Sequence, residues 1–84
     1  YVVGIDTHAR THTYCILNAR TGAIVVGATF PNTSPAHRRA IAWIQRHCPN
    51  TKVLAAVEGT SSYGAGVTGA LVDAGIDVTE VRPT

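Results

Sequence analysis

Apolar runs separated by short polar links divide the N-terminal part of the chain into strand-like segments. The first run, Val2–Ile5, is continuous and ends at Asp6, a pattern typical of a strand that is buried on both faces. Two runs rich in β-forming residues follow at 12–17 and 23–30, and a turn that contains Asn and Gly separates them at 18–22. Because the links are short, these three strands are predicted to form an antiparallel meander.

After Pro31, the apolar residues recur at helical spacing. Thr33 or Ser34 is predicted to cap a helix that has Pro35 near its first turn and that ends before Pro49. The apolar stripe of this helix is expected to face the sheet; it consists of Ala36, Ala40, Ile41, Ile44 and Cys48.

A second strand–helix–strand unit completes the chain. Val53–Val57 is a fully apolar strand that ends at Glu58, and the small residues of 59–62 supply a turn and a helix N-cap. Gly75 is expected just beyond the end of the helix, and a last strand is predicted over 76–81. The residues that this helix is predicted to bury are Tyr63, Val67, Ala70, Leu71 and Ala74.

The resulting order, β-β-β-α-β-α-β, predicts an α/β fold with a mixed sheet. With right-handed crossovers, the first strand lies at the centre, the meander on one side and the β-α-β unit on the other. This is a ribonuclease H-like layout, which here stops before a closing C-terminal helix.

Composition bounds the class of protein. Eighty-four residues, 45% of them hydrophobic and 14% charged, predict one small domain over 1–84 and exclude a disordered charged tail. The net charge of +2 is too small to indicate a nucleic-acid-binding protein by itself. Two cysteines with no signal peptide or long apolar span favour a reducing cytoplasm and no membrane. Because the chain starts at Tyr1 rather than Met and stops at Thr84, we expect a piece of a larger protein.

Two acids provide the strongest chemical signal. Asp6 and Glu58 each follow the most apolar strand of their half of the chain. If these strands are parallel neighbours, both carboxylates lie at one edge of the sheet, where they suit Mg²⁺ or Mn²⁺. A pair of such metals supports phosphodiester chemistry. The alternative is that the acids only meet water or cap helices at strand ends.

The histidines and cysteines provide weaker signals. His8 is close enough in sequence to approach Asp6, although a local or exposed position in the turn is the alternative. His12 is interpreted as a polar residue at a strand start, and His37 as a surface residue of the first helix. Cys15 is expected to be a buried structural thiol. No His-x-x-x-His or Cys-x-x-Cys pattern indicates zinc.

Five residues are candidates for contact with nucleic acid. Thr60 and Ser61 precede a predicted helix, whose N-terminal N–H groups can bind phosphate, with ordinary capping as the alternative. Arg10, Arg38 and Arg39 can meet a phosphate backbone.

Three stretches together carry a family resemblance: VGIDTH at 3–8, VEGTSSYG at 57–64 and LVDAGIDV at 71–78. They resemble the N-terminal domain of DEDD-type insertion-sequence transposases, which are relatives of the Piv-type DNA invertases. The resemblance extends over essentially the whole chain. It implies a RuvC-like, ribonuclease H-type domain in which Asp-Glu-Asp-Asp acids bind a divalent metal, Mg²⁺ or Mn²⁺. The first acid of that set maps onto Asp6 and the second onto Glu58.

The remaining parts of the family's site are not matched in this sequence. The third and fourth acids would follow Thr84, and Asp73 and Asp77 do not replace them because they flank the end of the second helix. A serine nucleophile would come from a separate C-terminal domain. A basic residue commonly follows the His of the first motif, whereas this chain has Ala9 there and Arg10 next.

The resemblance therefore implies a fragment of a DNA transposase or recombinase. Its parent would bind DNA as a homo-oligomer in a prokaryotic cytoplasm, at the nucleoid when active, and could use a structured guide RNA. The activity would be metal-dependent strand cleavage and transfer, with the isolated chain inactive or nearly so. Two alternatives are an actin-like sugar kinase half-domain, against which the lack of glycine after Asp6 argues, and a non-catalytic nucleic-acid-binding or self-association module.

Overall fold

The computed structural model describes residues 1–82, so Pro83 and Thr84 of the predicted domain lie outside the described residues. The elements are β1 (Val2–Thr7), β2 (Thr11–Leu17), β3 (Ile24–Pro31), α1 (Ser34–His47), β4 (Leu54–Glu58), α2 (Ala65–Asp73) and β5 (Asp77–Val81). They follow the predicted order. Neither α1 nor α2 is long and apolar enough to cross a membrane.

The five strands form one sheet in the order β3-β2-β1-β4-β5. The β1–β2 and β2–β3 pairs are antiparallel, whereas β4 pairs in parallel with both β1 and β5. The prediction of a meander on one side of a central first strand and a β-α-β unit on the other is therefore confirmed. In the β2–β3 turn, Gly22 has a φ of 72°, and the Asn18 Oδ1 accepts the N–H of Arg20 at 2.9 Å.

Both helices pack on the same face of the sheet. The core residues of the strands alternate with residues on the other face, and this core comprises Val3, Ile5, Tyr14, Ile16, Ala55 and Val57 from the sheet and Ala40, Ile41, Trp43, Ile44, Val67 and Leu71 from the helices. We call the other side the open face; it carries Gly4, Asp6, Thr13, Cys15, Ala56 and Glu58. No helix of residues 1–82 covers it, so the prediction that the first strand is buried on both faces is wrong.

Helix α1 begins and ends as its sequence predicts. Thr33 is the N-cap, and its hydroxyl accepts the N–H of Ala36 at 3.3 Å. Cys48 is the C-cap, and Asn50 follows with a φ of 56°. The predicted stripe is buried. His37 is buried as well, so the prediction of a surface position for it is wrong.

Helix α2 begins later than predicted, and its N-cap is different. Gly64 is the N-cap without any side-chain hydrogen bond, because a turn intervenes in which the Gly59 carbonyl accepts the N–H groups of Ser62 (2.9 Å) and Gly64 (2.8 Å). Tyr63 therefore lies outside the helix and is 57% exposed, contrary to prediction. Ala74 is also exposed, since it is the C-cap, whereas Gly75 at C′ has the expected positive φ of 77°.

Candidate metal centre

Asp6 and Glu58 come together at the carboxyl ends of the two central strands. Ile5 of β1 pairs in parallel with Val57 of β4, so each acid is the next residue after this pair. Because side chains alternate along strands, both acids share the open face with the preceding pair, Gly4 and Ala56. The juxtaposition that the sequence predicts is therefore present.

A shallow cavity of about 300 Å³ lies on the open face beside the two acids. It exists because the neighbouring positions carry small side chains, and its lining residues are Gly4, Ile5, Asp6, Thr13, Cys15, Ala56, Glu58 and Val81. Cys15 is half-buried here, so the expectation of a buried thiol is wrong. The strand alternation places this thiol on the open face, opposite Gly4.

Two side-chain contacts lie at these strand ends. The Thr7 hydroxyl donates to the Glu58 carbonyl oxygen at 2.9 Å and so joins the end of β1 to the end of β4. The His8 Nε2 lies 3.3 Å from the Asp6 Oδ2, and both side chains are exposed. His8 therefore approaches Asp6, as the sequence allows.

The donor set fits a hard divalent cation but is small. Within residues 1–82, neither Asp6 nor Glu58 is in a salt bridge with Lys or Arg, so both keep oxygens free for a ligand. The same residues contain no group of three or more His, Cys, Asp or Glu that could hold a metal ion together. The described residues thus place two carboxylates, without a third such ligand beside them, at this edge of the sheet.

On the helix side of the same strand ends, His12 and His37 form a buried stack. The rings of His12 and His37 are 5.7 Å apart and only 7° from parallel, and the residues are 0% and 4% exposed. Burial lowers the pKa of both histidines below the usual 6.5, and the proximity of each ring to another His contributes in the same direction. His12 Nε2 has no hydrogen-bond partner among the described residues.

The structure separates the candidate nucleic-acid contacts into two groups. Arg10 in the β1–β2 turn and Thr60 and Ser61 after β4 lie at the same end of the sheet as the acids. Arg38 and Arg39 are exposed on α1, in the helix layer and away from the open-face cavity.

Glu80 is a residue of this edge that the sequence did not single out. It pairs with Val57, so it is on the helix side of the sheet, and its Oε2 accepts the Thr60 hydroxyl at 2.9 Å. Its Oε1 lies 3.9 Å from the Arg82 Nε. The Thr60 hydroxyl therefore has a partner within the chain, and the only signal for Glu80 was its place near the end of a strand.

Comparison with solved structures finds a similar fold in a viral Holliday junction resolvase. The crystal structure of the fowlpox virus Holliday junction resolvase superimposes with a TM-score of 0.63 at 14% identity, covering 98% of this chain and 60% of the resolvase chain. This likeness shows a RuvC-like fold, and the chain spans less than two thirds of the resolvase. A comparison with curated proteins gives no match.

The sequence itself gives the family. The profile of the DEDD-type family described as a transposase matches residues 3–84, nearly the whole chain. The chain belongs to the DEDD transposase family.

Proposed function

We propose that this domain contributes two carboxylates, Asp6 and Glu58, to a divalent-metal site that cleaves and transfers DNA strands during transposition. The observation that carries the proposal is the placement of both acids one residue beyond the Ile5–Val57 pair on one open face. Family membership favours this function over a sugar kinase half-domain. The name of the resolvase relative, which acts on Holliday junctions, supports a DNA substrate.

Different residues have different proposed roles at this site. Asp6 and Glu58 would hold Mg²⁺ or Mn²⁺, with further ligands from elsewhere, and the open-face cavity leaves room for a phosphodiester. When bound, the metal supplies activation of the attacking oxygen and stabilisation of the leaving oxygen. The Thr7 hydroxyl keeps the two strand ends in register through the Glu58 carbonyl. Arg10, Thr60 and Ser61, at the same end of the sheet, are proposed to meet the DNA backbone.

Partners of the complete transposase belong to the same proposal. A homo-oligomer and a structured guide RNA are consistent with the family resemblance. Further acids and a serine nucleophile from other parts of the transposase would complete the site, so we expect the 84-residue chain alone to be inactive or nearly so.

Mn²⁺ binding tests the assignment of the two acids. Titration of the chain with Mn²⁺, followed by electron paramagnetic resonance of the free ion, should show weak binding that Asp6→Asn or Glu58→Gln abolishes. Asp77→Asn is the matched control, because Asp77 pairs with Leu54 at the opposite end of β4 and should leave binding unchanged. Equal Mn²⁺ binding by the unsubstituted chain and Asp6→Asn would refute the assignment.

A second readout separates catalysis from simple binding. In a transposase that contains this domain, Asp6→Asn and Glu58→Gln should abolish metal-dependent strand cleavage and preserve salt-dependent DNA binding. Cleavage that persists in both variants would support the alternative, in which the domain is a non-catalytic nucleic-acid-binding module.

A further inference from the structure

The β1–β2 turn, residues 8–10, contains His8, whose ring contacts Asp6, and Asn32 forms hydrogen bonds to the backbone of this turn. The Asn32 backbone N–H donates to the Arg10 carbonyl at 2.7 Å, and its side-chain Nδ2 donates to the Ala9 carbonyl at 3.1 Å. Asn32 therefore binds two successive carbonyls of the turn, and its side-chain oxygen remains free to accept another hydrogen bond.

That oxygen is bonded to the buried histidine of α1. The Asn32 Oδ1 lies 3.0 Å from the His37 Nε2. Because the Asn32 amide nitrogen is committed to Ala9, its oxygen must accept, so the His37 Nε2 carries the hydrogen. The amide side chain thus links the turn to the first part of α1.

His37 itself has little freedom to move. Its ring stacks on His12, and a Cβ placed at Gly66 of α2 would lie 2.9 Å from its Cε1. The His12 Nδ1 lies 3.3 Å from the backbone N of His8 and 3.1 Å from the Thr11 carbonyl, and it accepts from the first or donates to the second according to its tautomer. The same turn is therefore contacted from β2 as well as from Asn32.

We infer that Asn32 is a positioning residue, which anchors the β1–β2 turn to His37 and thereby places His8 beside Asp6. The inference rests on the proposed function only in its consequence for metal binding. If Asp6 is a metal ligand, a fixed turn keeps the His8 ring at the 3.3 Å contact that orients this carboxylate before the ion arrives. The anchoring of the turn can be tested without any metal.

The test compares Asn32→Ala with Thr33→Ala. Thr33→Ala removes the N-cap hydrogen bond to Ala36, so it destabilises the same helix without changing a contact of the turn. Amide hydrogen exchange by nuclear magnetic resonance should be roughly three- to tenfold faster at His8 in Asn32→Ala than in Thr33→Ala, as expected for losing one or two hydrogen bonds. The His8 N–H is the reporter because it donates to the Thr11 carbonyl across the turn at 3.1 Å.

Asn32→Asp adds a sharper comparison. It keeps an acceptor for the His37 Nε2–H but removes the donor to the Ala9 carbonyl, so it should release the turn as Asn32→Ala does. The Mn²⁺ dissociation constant should rise in Asn32→Ala and not in Thr33→Ala. In Asn32→Asp, where the added carboxylate itself attracts the cation, His8 exchange is the readout.

The outcomes separate the two proposals. If His8 exchange is the same in Asn32→Ala, Asn32→Asp and Thr33→Ala, and Mn²⁺ affinity is the same in the two alanine variants, the positioning role is overturned. If the unsubstituted chain binds no Mn²⁺, the proposed function fails, and faster His8 exchange in both Asn32 variants still supports the anchoring of the turn.

Discussion

The stack of His12 on His37, with ring centroids 5.7 Å apart, joins β2 to α1 inside the core. His12 opens a strand and His37 lies between apolar and arginine positions on a helix, and both patterns are typical of surface residues. Their burial depends on each ring covering the other across β2 and α1, and on the missing side chain at Gly66. No local pattern encodes a contact between residues this far apart in the chain, so only the structure shows the pair.

The stability of the fold should fall as the pH drops through the range in which these histidines titrate. Burial lowers the pKa of His12 and His37 in the folded chain, so the unfolded chain, with a pKa of about 6.5, binds protons more readily. The contribution of the two neutral histidines to the free energy of unfolding is complete above pH 6.5. It is lost progressively as the pH falls towards their lowered pKa values in the folded chain. The titratable side chains next to His12 and His37 are His8 from the β1–β2 turn and Tyr14 from β2.

Urea unfolding between pH 7.5 and 5.5 measures this dependence. The free energy of unfolding should decrease over that range, and His37→Gln should flatten the decrease, whereas the exposed His47→Gln should not. A free energy of unfolding that stays constant or rises as the pH falls would contradict the burial of neutral histidines.

Among the helices and strands, the sequence predicts which elements exist better than where each one begins and ends. The strands and α1 were recognisable because apolar runs and a Thr-Ser-Pro start have few other interpretations. The sequence predicts too early a start for α2 because Thr60, Ser61 and Ser62 resemble N-caps. In the structure, Gly59 adopts a φ of 58° and its carbonyl closes a turn before the helix begins. The Thr60 hydroxyl does form a hydrogen bond, but it donates to the Glu80 carboxylate rather than capping the helix.

Two glycines of α2 should respond differently to the same substitution. Gly69→Ala meets no atom within 4 Å, so better helix propensity should raise the free energy of unfolding by about 1 kcal/mol. Gly66→Ala forces a Cβ against the buried His37 ring, and overpacking of about 1–3 kcal/mol should offset or exceed that gain.

Chemical denaturation of the two variants side by side measures the difference, and each glycine serves as the control for the other. An equal stabilisation by both alanines would show that α2 does not pack closely on His37.

At the scale of the whole molecule, topology was predictable and the covering of the sheet was not. Short links and right-handed crossovers leave few arrangements of five strands and two helices, so β1 was correctly placed at the centre. The run Val2–Ile5 is apolar at every position except a glycine, and this pattern predicts burial on both faces, whereas the helices cover only the face of Val3 and Ile5. The same limit applies to Asp6 and Glu58: their shared edge followed from the order of the strands, whereas the cavity beside them depends on Gly4 and Ala56.

Because helices cover only one face of the sheet, the two cysteines should differ in reactivity. Cys15 is half-buried on the open face and lines its cavity, whereas Cys48 is 4% exposed and burial raises the pKa of its thiol. Under native conditions, iodoacetamide should therefore modify Cys15 well before Cys48, as measured by peptide mass spectrometry. Modification of both thiols at one rate would contradict the division into a packed and an open face.

Asp6 and Glu58 are proposed to hold one metal ion on the open face. An anomalous difference map from crystals of the chain grown with Mn²⁺ locates that ion. We expect a peak within coordination distance of carboxylate oxygens of both residues. A map with Mn²⁺ bound elsewhere, for example at Asp73 or Asp77, and no peak between Asp6 and Glu58 would contradict the proposal.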